Sequence, residues 1–203
     1  YYLDTNIVIR ALGVDGPQRQ DSTISIIESC KHDGIKFRIT KATYDEIYKN
    51  LNGRTREVEK KTSRQSEALL LQVIDDLPFN NSFETDYLHK RKEGKVSSPN
   101  KYRLNLEKEF QIFCDKFDIQ TEQIQGIQQS DLTSLKSFLL DKKQKKLGKW
   151  AYSLGAALVD AMNILYVKLI RGSNNYNYKD IKSFYLTTDS TLNDIIIDMD
   201  RNV

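Results

Sequence analysis

Apolar positions in the first 53 residues alternate between short continuous runs and helical spacing. Tyr1 to Leu3 is an apolar run with strand propensity, and apolar residues three and four positions apart follow it over residues 7–12. The same pattern predicts a second helix over 21–33 and a second strand over 35–39. A third helix is predicted to begin at Thr40 and to end at the Asn52-Gly53 pair.

The rest of the chain is less regular in its middle part. Residues 54–77 have a polar helical pattern, whereas 79–105 are predicted to form a loop. Gly94, dense charge and the Ser97-Ser98-Pro99-Asn100 cluster favour that loop. Helical spacing returns over 104–117. The remaining predicted elements are a strand at 117–121, helices at 131–146 and 149–171, a strand at 183–187 and a helix at 190–200.

Strands that alternate with helices predict an α/β fold with an open, mostly parallel sheet and helices on both faces. Functional groups in such sheets collect at the carboxyl ends of the strands. Asp4 follows the first strand, Asp189 follows the last, and Glu46 lies early in the helix after the second strand. We therefore expect these three carboxylates at one edge of the sheet.

Asp160 is the acidic residue that packing explains least. It lies in the middle of an apolar helix, and burying an unpaired charge there costs several kcal/mol. Asn163, three residues later, shares its helix face. A group of carboxylates without His or Cys suits Mg²⁺ or Mn²⁺, and such ions promote phosphodiester hydrolysis by activating water and stabilising the leaving oxygen.

These residues stand in four short motifs that together resemble the PIN-domain nuclease family. The first is a strand followed by Asp4-Thr5-Asn6, and the second is Glu46 on the helix after the second strand. The third is Asp160-Ala161 within a helix, and the fourth is the strand ending in Thr187-Thr188-Asp189. The match covers residues 1–53 and about 148–200, whereas 54–147 resemble nothing in the family.

The resemblance implies a three-layer α/β/α sandwich and an Mg²⁺- or Mn²⁺-dependent endoribonuclease that prefers single-stranded RNA. It implies that Asp4, Asp160 and Asp189 bind the metal and that Glu46 completes the catalytic pocket. Asn6, Thr187 and Asn163 are expected to support these side chains. The domains are then a catalytic part, 1–53 with 148–203, and a mainly helical basic insertion, 54–147. Because many small family members are toxins, a toxin-like role with an antitoxin or other protein partner is expected.

Each motif alone has simpler explanations. Asp4 and Asp189 could cap the helices that follow them, and Asp45 could take the place of Glu46. An Asp after the first strand also occurs in haloacid-dehalogenase-type phosphatases, but they require a second Asp where this chain has Asn6. A nuclease that acts on DNA, and a catalytically silent module that binds RNA or protein, remain alternatives.

Basic residues are concentrated in the middle of the chain, although the net charge is only +3. Three clusters are candidates for contact with a polyanionic substrate, and the third of them is Arg54, Arg56, Lys60, Lys61 and Arg64. Tyr87, Tyr102 and Trp150 lie near basic residues and could stack on bases. The first cluster is Lys142, Lys143, Lys145 and Lys146; the second is Lys90, Arg91 and Lys92.

The remaining composition favours a cytoplasmic protein with no membrane contact. Only two cysteines are present, which excludes a disulfide framework. No apolar run is long enough to cross a bilayer, and no leader segment is recognisable. Because the chain begins at Tyr1, further terminal residues are expected. A homodimer is compatible with the sequence.

Overall fold

The computed structural model describes residues 1–62, 64–75, 82–148, 152–172 and 181–201. The chain divides into two compact units. The first contains Tyr1–Ile7, Lys36–Glu46 and Gln120–Val203; the second contains Val8–Ile35 and Ile47–Ile119. Trp150 lies outside the described residues, so its predicted role in stacking stays a prediction.

A parallel sheet forms the centre of the first unit. Its strands, among the described residues, are β1 (Tyr2–Leu3), β2 (Arg38–Thr40), β3 (Gln120–Glu122) and β4 (Tyr185–Leu186), in the order β3-β2-β1-β4. Tyr2 pairs with Arg38 on one side and with Tyr185 on the other, and every pairing is parallel. The predicted α/β class with a parallel sheet is confirmed.

Three helices accompany this sheet: α7 (Gln129–Leu147), α8 (Leu154–Arg171) and α9 (Ser190–Arg201). The Ser153 side chain caps α8 by accepting a hydrogen bond from the Ala156 backbone, and Gly172 ends the helix at φ 67°. Small residues on α8 allow close packing against α7, which also packs on α9. The shared core consists of Leu135, Leu139, Tyr152, Ala157, Ala161, Leu192 and Ile195.

The second unit is helical among its described residues. Most of α1 (Thr5–Ala11) and α3 (Lys41–Lys61) belong to it, together with α2 (Pro17–His32), α4 (Arg64–Val73), α5 (Phe83–Lys92) and α6 (Pro99–Phe117). Its core contains a group of aromatic rings. The Phe83 and Tyr102 rings lie 4.9 Å apart between centroids, and Tyr87 lies 5.9 Å from Tyr102.

The predicted loop at 79–105 is wrong for most of its described residues, because α5 and the start of α6 lie there. The Ser-Pro cluster is a helix start: Ser98 accepts a hydrogen bond from the Lys101 backbone, and Pro99 takes the first helical position. Ser82 caps α5 in the same way through Thr85. Buried aromatic side chains hold both helices in place despite their polar composition.

The predicted break at Asn52-Gly53 is also wrong, since α3 continues to Lys61. A glycine in a helix interior costs about 1 kcal/mol relative to alanine. Leu51, Thr55 and Val58 are all buried at helical spacing on the same face, and this packing outweighs the glycine cost.

The division into units differs from the predicted boundaries at residues 53 and 148. β3 and α7 lie within the predicted insertion, yet β3 pairs with β2 and α7 packs on α8 in the first unit. No helix in the described ranges is both long and apolar enough to cross a membrane.

Candidate functional site

Asp4 lies directly after β1, with its carboxylate surrounded by hydrogen-bond donors. Oδ1 accepts from the Thr5 backbone at 2.7 Å and from the Tyr185 hydroxyl at 2.9 Å. Oδ2 accepts from the Thr187 hydroxyl at 2.6 Å and from Asn6 Nδ2 at 3.3 Å. Burial raises the pKa of Asp4, and the charge of Asp160 raises it further, although the hydroxyl donors oppose both effects.

Thr187 and Asn6 both donate to the Asp4 carboxylate and so hold its orientation. Thr187 also accepts a hydrogen bond from the Asp189 backbone at 3.0 Å. The segment after β4 is therefore held next to Asp4.

Glu46 lies in the second turn of α3, where its Oε2 accepts a hydrogen bond from the Thr5 hydroxyl at 2.5 Å. Burial raises the pKa of Glu46 to about 7, and the charges of Asp160 and Asp4 contribute to the rise. Its neighbour Asp45 instead forms an exposed ion pair with Lys41 one helical turn earlier. Of the two adjacent acids, Glu46 is thus the one that faces the other carboxylates.

Asp160 is buried in α8 and has a cationic partner that the sequence did not suggest. Lys143 Nζ lies 2.8 Å from Asp160 Oδ2, and the Tyr152 hydroxyl donates to the same oxygen at 2.6 Å. Lys143 is itself buried, with only 2 % of its side chain exposed. Its predicted contact with nucleic acid does not fit this position, because its ammonium group is already enclosed by carboxylates.

Asp189 follows β4 and caps α9, since its Oδ1 accepts a hydrogen bond from the Leu192 backbone at 3.0 Å. Its Oδ2 lies 2.6 Å from Lys143 Nζ. Burial alone would raise the pKa of Asp189, but Lys143 and the cap hydrogen bonds outweigh burial and hold the pKa below its usual value. Asp160 and Asp189 thus share one ammonium group.

Asn163 joins the helix α8 to the sheet edge. Its Oδ1 accepts from the Thr40 hydroxyl at 2.5 Å, while its Nδ2 donates to Thr43 Oγ1 at 2.9 Å and to the Tyr185 hydroxyl at 3.3 Å. The Tyr185 hydroxyl in turn donates to Asp4. Asn163 therefore supports Asp4 through Tyr185, and the polar atoms of this fully buried amide are all used.

The donor chemistry of these side chains suits a hard divalent cation, although the arrangement is not a ready metal site. The charges of Asp160 and Asp4 raise the pKa of Glu46. The acidic group therefore has more negative charge than the single ammonium group of Lys143 balances. Among the described residues, however, no three Asp, Glu, His or Cys side chains form a group that could hold a metal ion.

The sequence did not identify Lys143, Tyr152 and Tyr185 as parts of this arrangement. One signal was present for Lys143: it follows Leu135 and Leu139 at intervals of four, and both leucines are buried on the inner face of α7. A lysine on that stripe requires a buried partner. Tyr152 and Tyr185 gave no comparable signal, because aromatic residues at strand and helix boundaries usually pack in the core.

The basic clusters are largely paired with acids. In the first, Lys145 contacts Asp141 and Lys146 contacts Asp194, both at 2.8 Å, while Lys142 lies over the Phe138 ring. In the second, the contacts are Lys90 with Asp86 at 3.0 Å, Arg91 with Glu67 at 3.5 Å, and Lys92 with Asp75 at 2.6 Å. The pairs of Lys145, Lys146 and Lys92 are exposed and can open towards a polyanion, since surface ion pairs contribute little to stability, whereas those of Lys90 and Arg91 are part-buried.

The two tyrosines predicted to stack on bases are buried. Tyr87 and Tyr102 have 0 % and 1 % exposure. Their hydroxyls donate to Glu67 and to Asp86. Both rings belong to the aromatic core of the second unit, so the prediction that they bind bases is wrong.

Comparisons with protein-family models, with curated proteins and with solved structures found no match to this chain.

Proposed function

We propose that this protein is a metal-dependent endoribonuclease of the PIN-like type, which hydrolyses phosphodiester bonds of single-stranded RNA. One observation carries the proposal. Hydrogen bonds through Thr5, Thr187 and Lys143 connect four acids from separate parts of the sequence, and nearby negative charges raise the pKa of one of them, Glu46; the four are Asp4, Glu46, Asp160 and Asp189. Such a group of carboxylates is unfavourable for stability alone and suits a cation.

In this proposal Asp4, Asp160 and Asp189 would hold Mg²⁺ or Mn²⁺, and the ion would supply Lewis-acid chemistry to a phosphate oxygen and to water. Thr187, Asn6 and Tyr185 keep the Asp4 carboxylate in one orientation. Glu46, whose pKa is about 7, can hold or release a proton near neutral pH, which suits a group that orients and deprotonates water.

The proposal extends to the finer architecture and to the biological role. A parallel sheet in the order β3-β2-β1-β4, with α7, α8 and α9 in the same unit, supports a three-layer α/β/α sandwich. A toxin-like role predicts that expression of the parent protein slows the growth of a bacterial culture and that D4N does not. Co-expression with a cognate antitoxin would then restore growth.

Cleavage of a labelled single-stranded RNA tests the activity. The parent should cleave with Mg²⁺ or Mn²⁺ and not with excess chelator, and a single-stranded DNA of the same sequence tests the alternative substrate. D4N and E46Q should each lose at least about 100-fold in rate, since each removes a charge from the proposed reaction centre. D45N is the matched control because Asp45 is exposed and paired with Lys41. Full activity of D4N, or cleavage in chelator, would contradict the proposal.

A second candidate is a catalytically silent PIN-like module that binds RNA or protein. The pairing of Lys143 with both Asp160 and Asp189 favours it, because two of the four acids already have a cationic partner. For this candidate, RNA binding should be equal in chelator and in Mn²⁺, and no cleavage should appear in either.

A further inference from the structure

Lys143 is an unusual lysine because nearly its whole side chain is buried. Its Nζ lies 2.8 Å from Asp160 Oδ2 and 2.6 Å from Asp189 Oδ2, and it lies 4.2 Å from the centre of the Tyr152 ring. Removing an ammonium group from water is costly unless partners of opposite charge surround it closely. Here two carboxylates and the face of an aromatic ring provide that environment.

The partners of Lys143 are fixed by contacts of their own. The Tyr152 hydroxyl donates to Asp160 Oδ2 at 2.6 Å, and Gln144, next to Lys143 on α7, donates to the Tyr152 carbonyl at 3.0 Å. Asp189 is held by the Leu192 backbone at the start of α9. The ammonium group thus joins α7, α8 and the start of α9, and its position is set by all three.

We infer that Lys143 is the resident cation of the Asp160–Asp189 pair, so a divalent ion can engage this pair only by competing with the ammonium group. The inference concerns the regulation of the proposed site, and its relevance to catalysis rests on the proposed function. Because the ammonium group already contacts both carboxylates and offsets part of their charge, the pair has a cationic partner within the chain and does not depend on a metal ion for one. Removing the lysine charge should convert the pair into a stronger binding site for a divalent cation.

The same helix supplies a matched control. Lys145 lies two residues after Lys143 and forms an ion pair with Asp141, but its side chain is 73 % exposed. K145M therefore removes the same charge from the same helix without leaving a carboxylate buried and unpaired. A difference in Tm or in Mn²⁺ affinity between K143M and K145M therefore results from the buried contacts of Lys143 and not from the change in net charge.

The experiment compares thermal unfolding of the parent, K143M and K145M in chelator and with increasing MnCl₂, together with Mn²⁺ binding measured by calorimetry. In chelator K143M should melt roughly 5–15 °C below the parent, and K145M within about 2 °C of it. Saturating Mn²⁺ should raise the Tm of K143M by roughly 5 °C or more, and by less in the other two proteins. Mn²⁺ should bind K143M about tenfold or more tightly than the parent. Equal Mn²⁺ affinity in K143M and the parent, or equal Tm in chelator, would overturn the inference.

If K143M does not fold in chelator, the variant K143M/D160N/D189N takes its place. With both carboxylates neutralised, removal of the lysine leaves no unpaired charge at positions 160 and 189, so this variant should fold and should show no greater Mn²⁺ response than K145M. Failure of this variant to fold would overturn the inference, because the lysine would then act through packing rather than charge. None of these measurements uses RNA cleavage. The inference can therefore be tested even if the protein has no nuclease activity, and a negative result here would not contradict the proposed nuclease function.

Discussion

The hydroxyl of Tyr185 donates a hydrogen bond of 2.9 Å to Asp4 Oδ1, which links the last strand of the sheet to the carboxylate after the first. The same hydroxyl accepts from Asn163. Burial and the nearby Asp4 charge raise the pKa of Tyr185 well above its usual value, so the hydroxyl keeps its proton at neutral pH. Tyr185 is therefore a permanent donor that orients Asp4.

Y185F should weaken both stability and the proposed activity. Loss of a buried hydroxyl leaves Asp4 with one donor fewer, at a cost of about 1–3 kcal/mol of unfolding free energy. Denaturant unfolding measures this cost. Y166F is the control, because the bond of the Tyr166 hydroxyl to Glu122 is long, at 3.4 Å, and does not involve Asp4, so it should cost less than about 1 kcal/mol. Equal costs for the two variants would mean that the Tyr185 hydroxyl does not stabilise Asp4.

Asn163 should be more important for stability than an ordinary helix asparagine. N163A removes an amide whose oxygen and nitrogen contact Thr40, Thr43 and Tyr185, and it leaves buried polar groups without partners. We expect a loss of about 2–4 kcal/mol in unfolding free energy. N52A, which removes a part-buried amide bonded to a carbonyl of its own helix, should cost less than about 1.5 kcal/mol. A loss for N163A no larger than that of N52A would contradict this role.

The raised pKa of Glu46 predicts that the stability of the protein falls as the pH rises towards neutral. Because its pKa is about 7 in the folded protein against a usual value of 4.5, the folded state retains a proton that the unfolded chain releases between these pH values. Glu46 therefore reduces stability as pH rises from about 4.5 to 7. E46Q cannot release this proton, so its unfolding free energy should gain roughly 2–3 kcal/mol relative to the parent over that window.

Denaturant unfolding in chelator at several pH values measures this difference between E46Q and the parent. D45N serves as the control, since Asp45 lies on the exposed side of α3 in an ion pair with Lys41. Its difference from the parent should stay nearly constant over the same pH values. A pH-independent difference for E46Q would show that Glu46 ionises normally in the folded protein.

The sheet and the acidic residues could be predicted because short-range patterns determine them. Apolar runs that end in Asp4 and Asp189 indicate both the strands and the edge at which the acids lie. The α5–α6 region was predicted wrongly because its stability comes from Phe83 and Tyr102, which pack across 19 residues of sequence. Ser98-Pro99 suits a turn and a helix start equally well, and only that distant packing decides between them.

The buried pairing of Lys143 cannot be predicted from the local sequence, for a related physical reason. Five residues, Lys142 to Lys146, contain four lysines, and composition alone suggests an exposed basic surface. Helical periodicity separates them: Lys143 continues the buried stripe of Leu135 and Leu139, whereas Lys142, Lys145 and Lys146 are exposed. The partner that makes burial tolerable, Asp160, lies on another helix, and no local pattern reveals that pairing.

The exposed lysines of α7 therefore provide a cleaner test of nucleic-acid binding when Lys143 is left unchanged. Each lysine that contacts a phosphate of single-stranded RNA contributes about −0.7 to the slope of log affinity against log salt. In K142E/K145E/K146E the affinity for a single-stranded RNA should fall, and the slope should flatten by up to about 2 if all three contact phosphates.

The parallel variant K90E/K92E removes two lysines of the second cluster, which form ion pairs with Asp86 and Asp75. Filter binding at several salt concentrations measures affinity and slope together. The unfolding free energy of K142E/K145E/K146E should stay within about 1 kcal/mol of the parent, because its ion pairs are exposed, whereas K90E/K92E should lose more, because Lys90 is part-buried beside Asp86 and Tyr102. A variant that keeps the parent's affinity and slope excludes its cluster as an RNA-binding surface, and unchanged values in both would leave protein contact as the role of these charges.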